Sequence, residues 1–303
     1  MKLSIVIVSW NTRELLADCL ASFIETLDED AEVLVVDNAS RDGTPEWVNA
    51  HFPGVRLIEN EENAGFARAN NQAIRLSKGQ YVLLLNPDMI VRDGALEALT
   101  AFLETHPDAG AAGARLLNAD NTLQTSCYPT PNLTRELWRL FHLDAIRPYG
   151  VYRMEDWPVN QPRQVDVLLG ACIMIRRSVL DQIGLMDETY FMYTEEVDLC
   201  YRIRQAHWTI YWVPEAEIVH LGGQSTRQAP AEMFLNLYRS KLQFFQKHYG
   251  RLSGTCYRLI LLASASVRLL LSPLALFEDD PSRSRHLVLA SRYRQLFLDL
   301  LRG

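Results

Sequence analysis

Residues 3–37, LSIVIVSWNTRELLADCLASFIETLDEDAEVLVVD, decide the fold. Leu3–Val8 and Glu32–Val36 are short runs rich in Val, Ile and Leu. A strand with one wet face alternates apolar and polar residues, so runs this continuously apolar predict strands buried on both faces. Between them, Leu15, Leu16, Cys19, Leu20 and Phe23 recur at helical spacing over Thr12–Thr26. Strand, helix and strand in succession require a parallel pair joined by a crossover helix.

The same alternation continues outward. Val55–Ile58 and Tyr81–Leu85 read as further strands, and Ala64–Leu76 and Gly94–Thr105 as helices. Ala111–Leu116 reads as a strand, and order resumes at Val165–Arg176 after an irregular stretch. Helices follow near Arg177–Ile183 and at Glu195–Ala206, then a strand at Thr209–Val213. The expected fold is α/β and Rossmann-like, a mostly parallel central sheet with helices on both faces, carrying a C-terminal helical extension. From Thr125 to Gln164, five prolines interrupt an aromatic stretch from Trp138 to Trp157, a long insertion of the kind that is usually functional. Its rings offer either sugar-stacking faces or ordinary packing.

Composition limits the possibilities. The chain has 303 residues, 48% hydrophobic and 22% charged, enough to bury a sizeable core. Five scattered cysteines without a CxxC pair fit neither a disulfide scaffold nor a zinc ribbon. The first residues lack the pattern of a secretory leader, which predicts a cytoplasmic protein. The net charge of −7 conceals −13 over residues 1–230 and +6 over 231–303. So acidic a body excludes nucleic acid as a partner, while the basic, leucine-rich tail suggests peripheral contact with the inner face of the cell membrane. Two domains are expected, 1–230 and 231–303. In the second, Met233–Tyr249 is amphipathic and Thr255–Phe277 strongly apolar, but Arg258, Arg268 and Pro273 interrupt it. That predicts a helix lying in the membrane interface rather than spanning it, with a buried helical hairpin as the alternative.

In open parallel sheets ligands bind beyond the carboxyl ends of the strands. Those ends here carry Ser9, Trp10 and Asn11, then Asp37 with Asn38-Ala39-Ser40, then Asn86-Pro87-Asp88. Neither GxGxxG after the first strand nor GxxxxGK[ST] occurs, so dinucleotide and P-loop sites are excluded. Asp37 is an acceptor for a base or ribose, or else a turn cap. Asp88 supplies the single carboxylate that a hydrated divalent cation can use, or forms a turn. In FMYTEEVDLCYR (191–202), Glu195, Glu196 and Asp198 begin a helix, where the dipole favours anions, and aromatic neighbours can lift one carboxyl toward the range of a general base. His220, followed by Gly222 and Gly223, completes a cation site, binds phosphate, or packs in a core.

The ordered set SWN, VDNASRDGT, NAGFARANN, LLLNPD, GACIMIRR, IGLMDE, FMYTEEVDLCYR and VHLGG resembles family 2 glycosyltransferases of the GT-A fold, over roughly residues 1–226. It is closest to the rhamnosyltransferase-like branch that builds bacterial cell-surface polysaccharides. The resemblance implies that Asp37 holds the nucleotide base, with Ser9 and Asn11 lining its pocket. Asn63, Gly65, Arg68 and Asn70 would close over the nucleotide and pyrophosphate. Asp88 matches the last residue of the DxD metal motif, with Asn86 in the first position, and His220 the histidine that reaches the metal or diphosphate. Glu196 stands where the family carries its catalytic aspartate, and Glu195 is the reserve base. Asp198 and Arg202 form an i,i+4 pair of structural character.

These roles imply inverting transfer of a sugar, rhamnose in this branch, from a dTDP- or UDP-linked donor to a growing glycan or lipid-linked acceptor, with Mg²⁺ or Mn²⁺ neutralising the leaving diphosphate. Two alternatives remain open: a UDP-hexose or N-acetylhexosamine transferase of the same fold, and a catalytically silent nucleotide-sugar-binding subunit of a polysaccharide assembly complex. A membrane-spanning processive synthase is disfavoured, because several clean spans and a QxxRW motif are missing from the sequence.

Overall fold

The first strand, β1 (Leu3–Ser9), is buried on both faces: Leu3, Ile5 and Ile7 enter one core while Val6 and Val8 enter another. This is the period of two that a strand imposes on its side chains. The computed structural model describes residues 1–222, 228–277 and 279–302. In chain order, α1 (Arg13–Ala21), β2 (Ala31–Asp37), α2 (Thr44–His51), β3 (Arg56–Glu59), α3 (Phe66–Leu76), β4 (Tyr81–Leu85), β5 (Met89–Val91), α4 (Ala95–Thr105), β6 (Ala109–Leu117) and β7 (Cys127–Tyr128) follow. Then come α5 (Leu133–Leu140), β8 (Arg163–Gln164), β9 (Val167–Leu168), β10 (Cys172–Arg176), α6 (Arg177–Ile183), α7 (Glu195–Gln205), β11 (Thr209–His220), α8 (Pro230–Leu271) and α9 (Asp280–Arg302).

The chain forms two compact units, Met1–Thr130 with Tyr152–Gln228, and Pro131–Val151 with Ala229–Gly303. In the first, one sheet runs β3-β2-β1-β4-β10-β6-β11-β5, with β8 on β11. The block β3-β2-β1-β4 is parallel, as the strand-helix-strand pattern predicts. Beyond it the sheet is mixed: β10 runs antiparallel to both β4 and β6, and β5 antiparallel to β11. Helices cover both faces. Leu16, Cys19 and Leu20 of α1 and Leu99 and Leu103 of α4 fill one core, and Ala69, Ala73 and Ile74 of α3 with Leu199 and Ile203 of α7 fill the other.

β11 outruns the strand expected at Thr209–Val213. Its register against β6 shifts between Val213 and Glu217, an irregularity around Pro214 that breaks the apolar pattern, after which pairing resumes to His220. That extension places His220 opposite Met89 of β5.

The second unit contains part of the stretch read as an irregular insertion. Leu140 of α5 joins Tyr238, Phe245, Tyr257 and Leu261 of α8 and Leu296 and Leu300 of α9 in a third core. Inside that unit Glu136 is buried against Lys241 at 2.9 Å, Arg139 at 2.9 Å and the Tyr257 hydroxyl at 3.1 Å. A buried carboxylate requires such partners. The division at residue 230 therefore leaves Pro131–Val151 on the other side from the helices with which it packs. Gly250 (φ +84°) interrupts α8, so the apolar segment begins a new helical run at Arg251 and gives way at Ser272 to a 3₁₀ turn that contains Pro273.

Candidate active site

The parallel register sets Ser9 beside Asp37. Asn38 donates its amide to the Ser9 carbonyl at 2.8 Å, and the Ser40 amide donates to Asp37 Oδ2 at 2.9 Å. Asp37 is 2% exposed and its Oδ1 is buried without a partner. Burial pushes this carboxyl above its ordinary range, with the Ser40 hydrogen bonds pulling it back. An unsatisfied buried acceptor at a strand end suits a ligand that brings N–H or O–H donors. Asn11 (φ +50°) accepts from the Arg41 amide at 2.7 Å and donates its own amide to Ser40 Oγ at 2.8 Å, so it ties the β1 and β2 loops together. Gln228, which the motifs did not point to, donates to the Trp10 carbonyl at 3.2 Å. The Ser9 hydroxyl, expected in the pocket, is fully buried and paired with Thr12 Oγ1 at 2.9 Å; its contribution to this edge is its backbone.

The segment before α3 is held by glycine geometry. Asn63 Oδ1 accepts from the Gly65 amide at 3.0 Å, and Gly65 has φ +80°. A Cβ at 65 would fall 2.5 Å from the Phe191 carbonyl oxygen, which accepts from the Phe66 amide at 2.8 Å. No side chain fits there. Arg68 is exposed on α3, whereas the Asn70 amide is turned back to the Phe66 carbonyl at 2.9 Å. Its neighbour Asn71 makes the long-range connection: it donates to the Met186 carbonyl at 2.8 Å and accepts from the Met186 amide at 3.1 Å. The doubled asparagine of the NAGFARANN motif was the available signal, and the second of the two does the clamping.

β4 delivers Asn86 and Asp88. The Asn86 amide donates to the Ala171 carbonyl at 2.9 Å, and its Oδ1 is buried without a partner. Asp88 is 6% exposed, and His220 Nε2 lies 3.5 Å from its Oδ1. The other ring nitrogen, Nδ1, is 2.5 Å from Gln124 Oε1, while Gln124 Nε2 donates to the His220 carbonyl at 3.1 Å and to Asn118 Oδ1 at 2.9 Å. An amide oxygen only accepts, so this contact places a proton on Nδ1 and turns Nε2 toward the carboxylate. An imidazole nitrogen and a carboxylate oxygen facing each other across 3.5 Å suit an intervening cation. Among the described residues no group of three or more His, Cys, Asp or Glu gathers around a common point. A two-ligand site matches Mg²⁺ or Mn²⁺, which keep waters and take substrate phosphates as further ligands. Gln124 escaped the motif reading because a lone glutamine in a loop carries no local signal. Gly223 lies outside the described residues.

α7 begins after two left-handed residues, Tyr193 (φ +68°) and Thr194 (φ +70°), an uncommon pairing for side chains with a Cβ. Glu195 is 5% exposed with Oε2 buried and unpartnered. Burial, and then the neighbouring Glu196 charge, push its carboxyl well above the ordinary range. Glu196 is half-buried and packs over Gly170, where an added Cβ would sit 3.2 Å from Glu196 Cβ. Gly170 precedes Ala171, which holds Asn86, so the GAC segment brings the NPD and EE motifs together. Asp198 is fully buried and bonded to Arg202 at 2.7 Å, and Arg202 also donates to the carbonyls of Ile183 and Leu185. This pair is structural. Tyr190 is buried, and Trp157 packs edge-on against Trp212 in the sheet's core cluster, so neither ring stands as an open platform.

The first unit has the GT-A architecture: the chain superposes on the mannosyltransferase from Pyrobaculum calidifontis, solved with GDP-mannose and Mn²⁺, with a TM-score of 0.57 over 99% of this chain and 87% of that one, at 19% identity. The chain belongs to glycosyl transferase family 2, whose family model matches residues 4–184. It is a glycosyltransferase. An N-acetylglucosaminyl-diphospho-decaprenol L-rhamnosyltransferase from Mycobacterium tuberculosis is 32% identical over 264 residues, which cover 82% of this chain and 85% of that protein. A low-salt glycan biosynthesis hexosyltransferase from Haloferax volcanii is 28% identical over 88% of this chain and 84% of its own length.

Proposed function

We propose that this enzyme transfers rhamnose from a dTDP- or UDP-linked donor to a lipid-linked glycan acceptor with inversion of configuration, working in the cytoplasm at the inner face of the cell membrane. The observation that carries the reading is the 32% identity to the mycobacterial rhamnosyltransferase, which runs through nearly the whole of both chains.

The geometry supports a role for each residue in this reading. Asp37 Oδ1, buried and unpartnered, accepts from the donor's base or ribose, and Asn11 holds the loop that frames it. Asn63 and Gly65 shape the segment over the nucleotide, Asn70 braces the first turn of α3 beneath it, and the exposed Arg68 would meet the phosphates. Asp88 and His220 would hold Mg²⁺ or Mn²⁺; when bound, the cation supplies positive charge against the leaving diphosphate. Asn86 Oδ1, buried and unpartnered two residues before Asp88, remains available to the donor.

Glu196 takes the proton from the acceptor hydroxyl. That oxygen forms a bond to the anomeric carbon as the carbon–oxygen bond to the diphosphate breaks, and the electron pair leaves with the nucleoside diphosphate. One carboxylate suffices, because a diphosphate needs no acid to depart. Burial raises the Glu195 carboxyl above its ordinary range, which lessens the negative charge it sets beside its neighbour. Acceptor specificity is left to the surface around Phe191, Met192 and Tyr193.

The test is product analysis by mass spectrometry, with a lipid-diphosphate N-acetylglucosamine acceptor and a panel of donors. Rhamnosyl product from dTDP-rhamnose supports the reading. Product only from a UDP-hexose would transfer it to the hexosyl class that the Haloferax relative favours, and nucleotide binding without any product would identify a silent subunit.

A further inference from the structure

The helical run from Arg251 to Leu271 has two apolar faces. One, with Gly254, Tyr257, Leu261, Ser264 and Ala265, is buried in the third core. On the opposite side Leu252 (79% exposed), Leu259 (60%), Val267, Leu270 (78%) and Leu274 recur at helical intervals in an open stripe, with Thr255 and Ala263 filling the remaining positions. From Leu252 to Leu270 the stripe extends about 27 Å at 1.5 Å per residue. Leu271 and Leu274 at its end share a cleft of about 320 Å³ with Leu289 of α9, floored by Arg268 and Tyr293. Leu289 is itself 39% exposed, so the apolar surface continues onto a second helix.

Charge indicates what covers it. Residues 233–277 contain six Lys or Arg and no Asp or Glu, in a chain whose first 230 residues carry −13. Arg251 and Arg258, seven positions apart, flank the stripe along one side. A second copy seated on this face across a two-fold axis would set like charges against each other. An anionic lipid surface instead accepts leucines into its acyl boundary and arginines at its phosphate level.

Length and composition alone would also allow a span, since the mean hydropathy within Pro230–Ala275 reaches 1.5. The run's own packing opposes that. Tyr257 donates to buried Glu136 and Arg268 to the Leu140 carbonyl, so one whole face is committed to a protein core containing an ionic network.

We propose that this face is a bilayer-docking surface, with the helix of residues 251–271 lying in the plane of an anionic lipid monolayer, leucine stripe inward and Arg251 and Arg258 at the phosphates. The proposal rests on the lipid-linked reading of the acceptor only for why an enzyme should dock there.

The experiment is co-sedimentation of the full chain with vesicles, in the absence of donor and acceptor, so its result is independent of which sugar is transferred. Vesicles containing phosphatidylglycerol should bind the chain about tenfold better than pure phosphatidylcholine, and high salt should reduce that preference. The double variant Leu259→Glu with Leu270→Glu should lose about tenfold in partitioning while binding nucleotide as before. If that variant loses cooperative unfolding, Arg251→Glu with Arg258→Glu provides the same comparison on the anionic vesicles. Alkaline carbonate should release the bound protein. Wild-type partitioning by both variants, retention after carbonate, or a vesicle-free dimer abolished by the leucine changes would each overturn the proposal.

Discussion

His220 Nε2 stands 3.5 Å from Asp88 Oδ1, and the two residues reach that distance because β11, resuming after its irregularity, pairs His220 with the residue that follows Asp88. Gln124 fixes the ring from the far side. Groups that orient a ligand in this way typically affect metal affinity by one to two orders of magnitude.

Gln124→Ala is therefore expected to weaken Mn²⁺-dependent binding of dTDP or UDP by about tenfold while leaving metal-independent binding unchanged. Calorimetric titration of each diphosphate with and without Mn²⁺ measures both, and Asp88→Ala should remove the metal dependence altogether. Equal metal dependence in Gln124→Ala and the wild type would detach Gln124 from the site.

Gly65→Ala is predicted to lower stability by about 2 kcal/mol, because it combines a left-handed backbone with a 2.5 Å clash against the Phe191 carbonyl. Relief of the clash must break the Phe66 amide bond to Phe191 and shift the segment expected over the nucleotide. Nucleotide affinity should fall together with the thermal midpoint, and a variant with native affinity would show that the segment does not contact the ligand.

Glu195 predicts a pH dependence. In the folded chain its carboxyl keeps a proton that the unfolded chain releases near the ordinary carboxylate range. The unfolded state then binds fewer protons, so this stabilisation is complete below that range and is lost as pH rises through the raised folded value. Thermal melts of Glu195→Gln should exceed those of the wild type by a margin that grows from pH 5 to pH 9. A margin independent of pH would mean that Glu195 is charged in the folded protein.

Glu136 carries the opposite sign. Buried against Lys241 and Arg139, its carboxyl is held down at about 2 against 4.5 in the free side chain. Its contribution, about 3 kcal/mol at 1.36 kcal/mol per unit, is present above 4.5 and lost as pH falls toward 2. Glu136→Gln should cost a similar amount at pH 7 and flatten acid unfolding between those values, as followed by circular dichroism. Acid unfolding identical to that of the wild type would show that the network contributes nothing to stability.

Much of the first unit was legible because its signals are local. The runs at β1, β2 and β4 and the helical spacings of α1 and α4 each needed only their own residues, and the motifs at their ends fell at one edge of the sheet. What escaped depended on distant partners. The apolar face of α5 finds its complement about a hundred residues later, and β11 is extended through a Pro by pairing with β6. Nothing in the sequence shows that Thr12 takes the Ser9 hydroxyl, and Asn71 and Gln124 are polar residues whose meaning is their long-range partner. The left-handed pair Tyr193 and Thr194 likewise has no glycine to announce it.

Glu196→Gln tests the assignment of the base most directly, with donor binding and sugar transfer measured side by side on the same preparation. Nucleotide affinity should stay within about twofold of the wild type, and the transfer rate should fall by 10² or more, the usual contribution of a general base. Transfer at the wild-type rate would contradict that assignment and move the search for the base to Glu195.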